Sequence, residues 1–139
     1  ITTHTSLGTM GHEQIELFKL YGVELDKVVI GHVDLTGNVE YILDMLYKGA
    51  YVEFDTIGKE NYLPDEKRVE MIKEIEKREL IDRVFLSLDI TRKSNMRYNG
   101  GIGYNYIFEY FIPKMKESGI KGSSIEKMLK YNPKKFLTR

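Results

Sequence analysis

Four residues whose side chains bind metals or exchange protons each follow a short apolar run. His4 ends Ile1-Thr-Thr-His4, and His32 ends Val28-Val-Ile-Gly-His32. Asp55 ends Ala50-Tyr-Val-Glu-Phe-Asp55, and Asp89 ends Val84-Phe-Leu-Ser-Leu-Asp89. Neutral imidazole and carboxylate together suit zinc and similar first-row divalent ions, which in hydrolases activate a bound water. A single histidine at the end of a strand is more often a hydrogen-bonded structural residue. Two of them on neighbouring strands, with an aspartate to close the set, favour a metal site. The third histidine, His12, stands at the start of a helix and reads as a surface or capping residue.

The elements that must carry these residues alternate strand and helix. Val28 to Ile30 is apolar on both faces, as a buried parallel strand requires. Between His4 and that strand lie a small-residue loop, Thr5 to Gly11, and a helix with Ile15, Phe18 and Tyr21 at helical spacing, ended by Gly22. A second helix, Asn38 to Lys48, buries Val39, Ile42, Leu43 and Leu46 and leads into the strand Ala50 to Phe54. A third runs from Asp65 to about Arg78 with Val69, Ile72 and Ile75 inward, followed by the strand Val84 to Leu88. After the long loop Ile90 to Gly103, a helix carries Ile107, Phe108, Phe111, Ile112 and Met115 on one face. A short helix then starts near Ser124, with Ser123-x-x-Glu126 as a capping box, and Asn132-Pro133 stops it, leaving Phe136 and Leu137 as an apolar tail.

This alternation predicts parallel βαβ units with right-handed crossovers. The strand-end polar residues fall at 4, 32, 55 and 89, scattered around the roughly 31 residues per unit of an eight-fold barrel. Four units are half of such a barrel, and barrel active sites lie at the C-terminal ends of the strands, where these residues are placed. A doubly wound open sheet competes, but its glycine fingerprint is absent from Ser6-Leu7-Gly8-Thr9-Met10-Gly11. The 139 residues read as one α/β unit without an internal boundary.

Bulk properties exclude several classes of function. Lys+Arg and Asp+Glu balance at 21 each, so no general affinity for nucleic acid or anionic membrane is expected. No apolar run approaches the roughly 20 residues that span a bilayer, and no signal-peptide pattern opens the chain. The absence of cysteine excludes disulfides and thiolate metal sites. A cytoplasmic location is compatible with all of this. Because Ile1 already lies in a strand pattern, the sequence reads as a piece of something longer.

Taken together, Ile1-Thr-Thr-His4-Thr, Val29-Ile-Gly-His32-Val-Asp34, Phe54-Asp55, Leu88-Asp89 and Asn132-Pro-x-x-Phe136-Leu137 resemble the C-terminal half of a phosphotriesterase-family protein of the amidohydrolase superfamily. Phe54-Asp-Thr-Ile-Gly-Lys59, Pro64-Asp-Glu-Lys-Arg68, Asp89-Ile-Thr-Arg-Lys93 and Asn99-Gly-Gly-x-Gly-Tyr104 are similar to its bacterial homology-protein branch. The resemblance implies four consecutive βα units forming strands five to eight of a TIM (βα)8 barrel, with two zinc ions in the complete barrel. It implies that His4 and His32 bind one ion, and that Asp89 binds the other and accepts a proton from the bridging hydroxide. The family's first-strand His-x-His pair and its fourth-strand bridging ligand have no counterpart here, so this chain supplies at most three protein ligands.

The implied activity is hydrolysis of a small ester, lactone or phosphoester by metal-activated hydroxide. The residue after Asp55 is histidine in true phosphotriesterases and arginine in the lactonases. Here it is Thr56, so neither specificity carries over. Thr56, Arg92 and Lys93 are the candidate substrate residues, with Asn99 to Gly103 either a lid or a solvated turn. Tyr98, Tyr104 and Tyr106 either wall a pocket or pack the loop, and Glu53, on the opposite face from its strand neighbours, is expected to pair with a lysine. The second reading is a non-catalytic half-barrel that persists by association. Its partner would be the missing N-terminal half or a second copy of the chain, since a half-barrel leaves edge strands and one apolar sheet face uncovered.

Overall fold

The structure, a computed structural model, describes residues 2–3 and 9–138. His4, the first of the four strand-end residues, lies outside them. Four parallel strands, β1 (Thr2–Thr3), β2 (Val29–Ile30), β3 (Tyr51–Phe54) and β4 (Val84–Leu86), pair in the order in which they occur in the chain. The registers Val29 with Tyr51 and Glu53 with Phe85 set residues of equal phase side by side. A doubly wound sheet would reverse its strand order at a switch point. No reversal occurs across these four strands.

Helices α1 (Gly11–Leu20), α2 (Val39–Tyr47) and α3 (Asp65–Lys77) connect the strands. Asn38 starts α2 by accepting the Tyr41 N–H with its side chain at 3.3 Å. Ile42, Leu43, Met45 and Leu46 of α2 and Val69, Ile72 and Ile75 of α3 are buried. They pack in one apolar cluster with Val52, Phe54 and Val84 from one face of the sheet. Each such side chain contributes about 1.5–3 kcal/mol of transfer free energy. In α1, Ile15 is buried whereas Tyr21 is 77% exposed, so Tyr21 does not share the inner stripe expected of it.

Three expectations for the C-terminal third are corrected. Phe108 is 63% exposed, while Ile107, Phe111 and Met115 carry the buried face. The Ser123–Glu126 capping box does not form: α5 (Gly122–Glu126) begins after Lys121 without a side-chain cap. Asn132-Pro133 does not end the last helix, which continues as α6 (Asn132–Leu137). Proline has no N–H to give the carbonyl four residues back, so the helix passes it on a wider, π-type turn. That turn spans Lys127–Tyr131 before Pro133 and recurs at Ile107–Phe111, which leads into α4 (Ile112–Glu117) and Pro113.

This detour fixes the base of the sheet's other face. The buried Asn132 amide donates to the Ile81 carbonyl at 2.7 Å and to the Val84 carbonyl at 2.9 Å, tying α6 to the start of β4. Phe136, one turn further on the same helix side, meets Tyr51 and Phe85 edge-on, with centroid separations of 5.1 and 5.6 Å. Tyr51 and Phe85 stack at 5.1 Å, and the Arg83 guanidinium lies 5.3 Å from the Tyr51 ring. The lower part of this face is therefore covered within the chain. Phe136→Ala is expected to cost about 2 kcal/mol in a urea titration, whereas Leu137→Ala, at a position 79% exposed, should stay within about 0.5 kcal/mol.

Candidate functional site

The strands alternate side chains, so Tyr51, Glu53 and Asp55 point to one face, as do Phe85, Ser87 and Asp89. Aromatic residues occupy the base of that face and polar ones its C-terminal end. Immediately after β2, His32 adopts a left-handed backbone, φ 59°, and after β4 so does Asp89, φ 46°. Such conformations cost on the order of 1 kcal/mol or more for residues other than glycine and persist where surrounding contacts impose them. Both described candidate ligands carry this strain.

For His32 the imposing contacts come from Asp55. One carboxylate oxygen, Oδ1, accepts the His32 backbone N–H at 2.9 Å and lies 2.7 Å from its ring Nδ1. An ionised Asp55 carboxylate can only accept, so opposite it Nδ1 carries the hydrogen and the ring lone pair belongs to Nε2. This is how metal-binding histidines are oriented by a carboxylate behind them. Asp55 thus stands as the partner of His32 rather than as an independent rim carboxylate. Burial pushes its carboxyl pKa up, and the hydrogen bonds from His32 oppose that rise.

Asp89 is gripped by Lys59, whose ammonium donates to the Asp89 carboxylate and, at 2.7 Å, to its backbone carbonyl. Thr56, by contrast, is 2% exposed and inside a buried network. Its hydroxyl donates to Asp34 Oδ2 at 2.5 Å and accepts from Arg68 Nη2 at 2.8 Å. Arg68 also donates from Nε to Asp34 Oδ2 at 2.7 Å and from Nη1 to Asp65 Oδ1 at 2.9 Å and to the Leu63 carbonyl. Asp65 further accepts from the Gly58 N–H at 3.1 Å and the Tyr106 hydroxyl at 3.1 Å. Burial and the Asp65 charge push the Tyr106 phenol pKa up.

Arg92 and Lys93 are exposed on the loop beyond Asp89, which is folded into two short 3-10 turns, Lys93–Asn95 and Arg97–Asn99. Of the loop tyrosines, Tyr98 and Tyr104 are exposed and Tyr106 packs inward. His12 lies edge-on to Tyr41, centroids 4.3 Å apart, with Nδ1 3.1 Å from Asp44, so it packs α1 on α2. Among the described residues no cluster of three or more histidine, aspartate or glutamate side chains is assembled for a metal.

Sequence reading missed the Arg68 network and the Lys59–Asp89 pair. A signal existed for the first: Asp65 and Arg68 continue the Val69, Ile72, Ile75 stripe toward the start of α3 and so sit on its buried side. Nothing in the spacing of Lys59 and Asp89 joins them.

Comparison with known proteins now bears on this geometry. The model of the phosphotriesterase family matches residues 1–137. The chain belongs to the phosphotriesterase family. It is 49% identical over 136 residues to the phosphotriesterase homology protein of Escherichia coli K12, covering 98% of this chain and 47% of that protein. It is 33% identical over 137 residues to the N-acetyltaurine hydrolase of Dictyostelium discoideum, covering 91% and 37%. Among solved structures it matches the E. coli homology protein complexed with phosphate in its active site, with a TM-score of 0.96, 48% identity, and 99% and 48% of the two chains covered. A lactonase from Listeria monocytogenes gives a TM-score of 0.93 at 31% identity, covering 99% and 44%. The chain thus spans less than half the length of each of these relatives. Its fold is an α/β arrangement with a parallel sheet that corresponds to a portion of these phosphotriesterase-family structures.

Glu53 shows what the polar end of the inner face does to a carboxyl. Instead of pairing with a lysine, it sits near Asp55, His32 and Asp34 and bonds Ser87. Burial first, and the Asp55 charge second, raise its pKa from 4.5 to about 7. A carboxyl raised in the fold binds its proton more tightly there than in the unfolded chain, so Glu53 costs stability as pH rises from about 4.5 through 7 and not below. Glu53→Gln is therefore expected to raise the unfolding free energy at pH 8 by on the order of 1 kcal/mol after allowance for partial exposure, read in a urea titration. That gain should vanish near pH 4.

Proposed function

We propose that this chain forms strands five to eight of a (βα)8 barrel and contributes His4, His32 and Asp89 to the divalent-metal centre of a hydrolase. The small-molecule substrate would be an ester, lactone or phosphoester. An N-acyl amide, as cleaved by the N-acetyltaurine hydrolases among the relatives, presents the same acyl carbon. The observation that carries this reading is the His32–Asp55 pair: a strand-end imidazole whose Nδ1 is held by a carboxylate at 2.7 Å directs Nε2 as a ligand nitrogen.

The donor set fits zinc or a similar ion, since neutral nitrogen and carboxylate oxygen are what such ions take in hydrolases. When bound, the metal pair would supply an activated water and polarise the electrophilic oxygen of the substrate. Asp55 keeps the His32 ring in one tautomer and one orientation. Asp89 accepts the proton that the attacking water loses, and the Lys59 ammonium keeps its carboxylate facing the rim. Asp34, Thr56 and Arg68 hold the segments after β2 and β3 in fixed relation. The positions of Arg92 and Lys93 suit contact with a substrate entering from solvent.

The edge strands favour a second reading for the isolated polypeptide. Among the described residues β1 pairs only with β2 and β4 only with β3, so completion by an N-terminal half or a second copy would satisfy both edges. Metal content separates the readings: about two ions per complete barrel support the enzyme, and none supports an associating structural unit.

In the complete barrel, His32→Ala is expected to reduce zinc content severalfold by atomic absorption, and full occupancy with full activity would refute the ligand role. Asp89→Asn preserves shape while removing the proton acceptor, so kcat should fall by about 10²-fold or more, with KM changing far less. Near-native turnover of the preferred substrate would remove Asp89 from the reaction.

A further inference from the structure

The loop that follows Asp89 is folded on itself. Main-chain bonds close its two short turns: the Asn95 N–H donates to the Arg92 carbonyl at 2.9 Å, and the Gly100 N–H to the Arg97 carbonyl at 3.0 Å. Gly101 and Gly103 then fold back on the first turn, donating to the Met96 carbonyl at 3.0 Å and the Asn95 carbonyl at 2.9 Å. A Cβ on Gly101 would lie 2.3 Å from backbone atoms of Ser94 and Asn95, so this approach requires glycine.

One side chain joins the two turns. The Asn99 amide, at the end of the second, donates from Nδ2 to the Lys93 carbonyl in the first at 2.7 Å. That carbonyl also accepts the Met96 N–H at 3.1 Å, and a carbonyl can only accept. The tie therefore needs an amide. An aspartate at the same place would set oxygen against oxygen.

Asn99 is also the only asparagine of this chain that precedes a glycine. Without a side chain on the following residue, the main-chain nitrogen reaches the asparagine carboxamide most easily, so this position is the one most open to spontaneous deamidation. Asn99 is exposed, and the space beside the Gly100 Cα is empty. In the reaction the Gly100 nitrogen gives its proton to solvent base and attacks Asn99 Cγ. The Cγ–Nδ2 bond breaks, and Nδ2 takes up a proton and leaves as ammonia. Water then opens the cyclic imide at one carbonyl or the other, giving aspartate or isoaspartate. In the folded loop both nitrogens are engaged, that of Gly100 by the Arg97 carbonyl and Nδ2 by the Lys93 carbonyl. Reaction then requires a local opening.

We infer that Asn99-Gly100 is a modification site gated by the fold: the Asn99 amide latches the loop after Asp89, and deamidation, which needs the latch open, removes it irreversibly. Either product presents an acceptor where Lys93 requires a donor. Isoaspartate also adds a methylene to the main chain ahead of Gly100, which displaces the Gly100 N–H from Arg97. Arg92 and Lys93, exposed on the same loop, then lose their fixed spacing from Asp89. None of this rests on the hydrolase reading.

The test uses the complete barrel at mildly alkaline pH. The peptide carrying Asn99 is followed by mass spectrometry in the folded protein and in guanidinium chloride, with isoaspartate counted by enzymatic methylation. Folded protein should react at least about tenfold more slowly than the unfolded chain, and folded Gly101→Ala, whose new Cβ forces the turns apart, should react about threefold or more faster than native. Equal rates in the folded and unfolded chains, or a Gly101→Ala rate no higher than native, overturn the gate. The latch is read separately, by hydrogen exchange at the Gly101 and Gly103 amides. Asn99→Asp and Asn99→Ala, the second removing the donor without adding charge, should both exchange about fivefold or more faster than native. Exchange unchanged in either variant would mean that the Asn99 amide does not hold the loop, and the proposal falls.

Discussion

The Arg68 guanidinium is the interaction on which the site end of this chain depends. It is fully buried, and its planar fork joins two residues that flank the His32–Asp55 pair: Asp34, two positions after His32, and Thr56, one position after Asp55. Its third partner, Asp65, opens α3 and reaches both Gly58 and Tyr106. Four segments distant in sequence are thereby referred to one charge. Removing that charge would leave two aspartates buried with their counter-ion gone, a loss of about 3–5 kcal/mol in comparable cases. A lysine, with a point charge in place of a fork, cannot span the same partners.

Because the loops are fixed to one another, the strained backbone at His32 can be held by a single carboxylate oxygen. Asp55 meets both the N–H and the ring of His32, so any drift of β3 against β2 would break two bonds at once. The same logic runs at β4, where Lys59, placed by the Gly58 turn, bonds Asp89 at two points across the rim. The left-handed residues at the two strand ends are affordable only in this surrounding, which agrees with the tendency of strain to gather at functional positions.

How legible this was in the sequence depends on the range of the interaction. The order of strands and helices, the buried stripes of α2 and α3 and the strand-end placement of His32, Asp55 and Asp89 follow from local periodicity and from alternation along the strand. Pairings across loops do not. Asp55 read only as one of four polar residues at the strand-end rim because nothing local says that it turns toward His32, and Thr56 read as facing substrate because nothing local says that Arg68 takes its hydroxyl. The Asn132-Pro133 pair misled for another reason: proline usually ends a helix, but here the lost hydrogen bond is absorbed by a π-type turn, and the asparagine side chain takes the carbonyls of Ile81 and Val84.

The two ends of the inner sheet face divide the work in a way that bears on the acidity at the rim. At the base, Tyr51, Phe85 and Phe136 exclude water with an aromatic cluster. Glu53 and Ser87 form the next level up, where the carboxyl already prefers its proton near neutrality. Above them, Asp55 and Asp89 each have a dedicated partner, His32 and Lys59. Burial raises the carboxyl pKa at both levels, at Glu53 and at Asp55, so a negative charge on this face is costly at either one. A cation brought to the rim lowers that cost for every carboxylate near it. The stack of carboxyls is therefore an electrostatic argument for a positive centre at the strand ends, made by this chain independently of the residues that would ligate it.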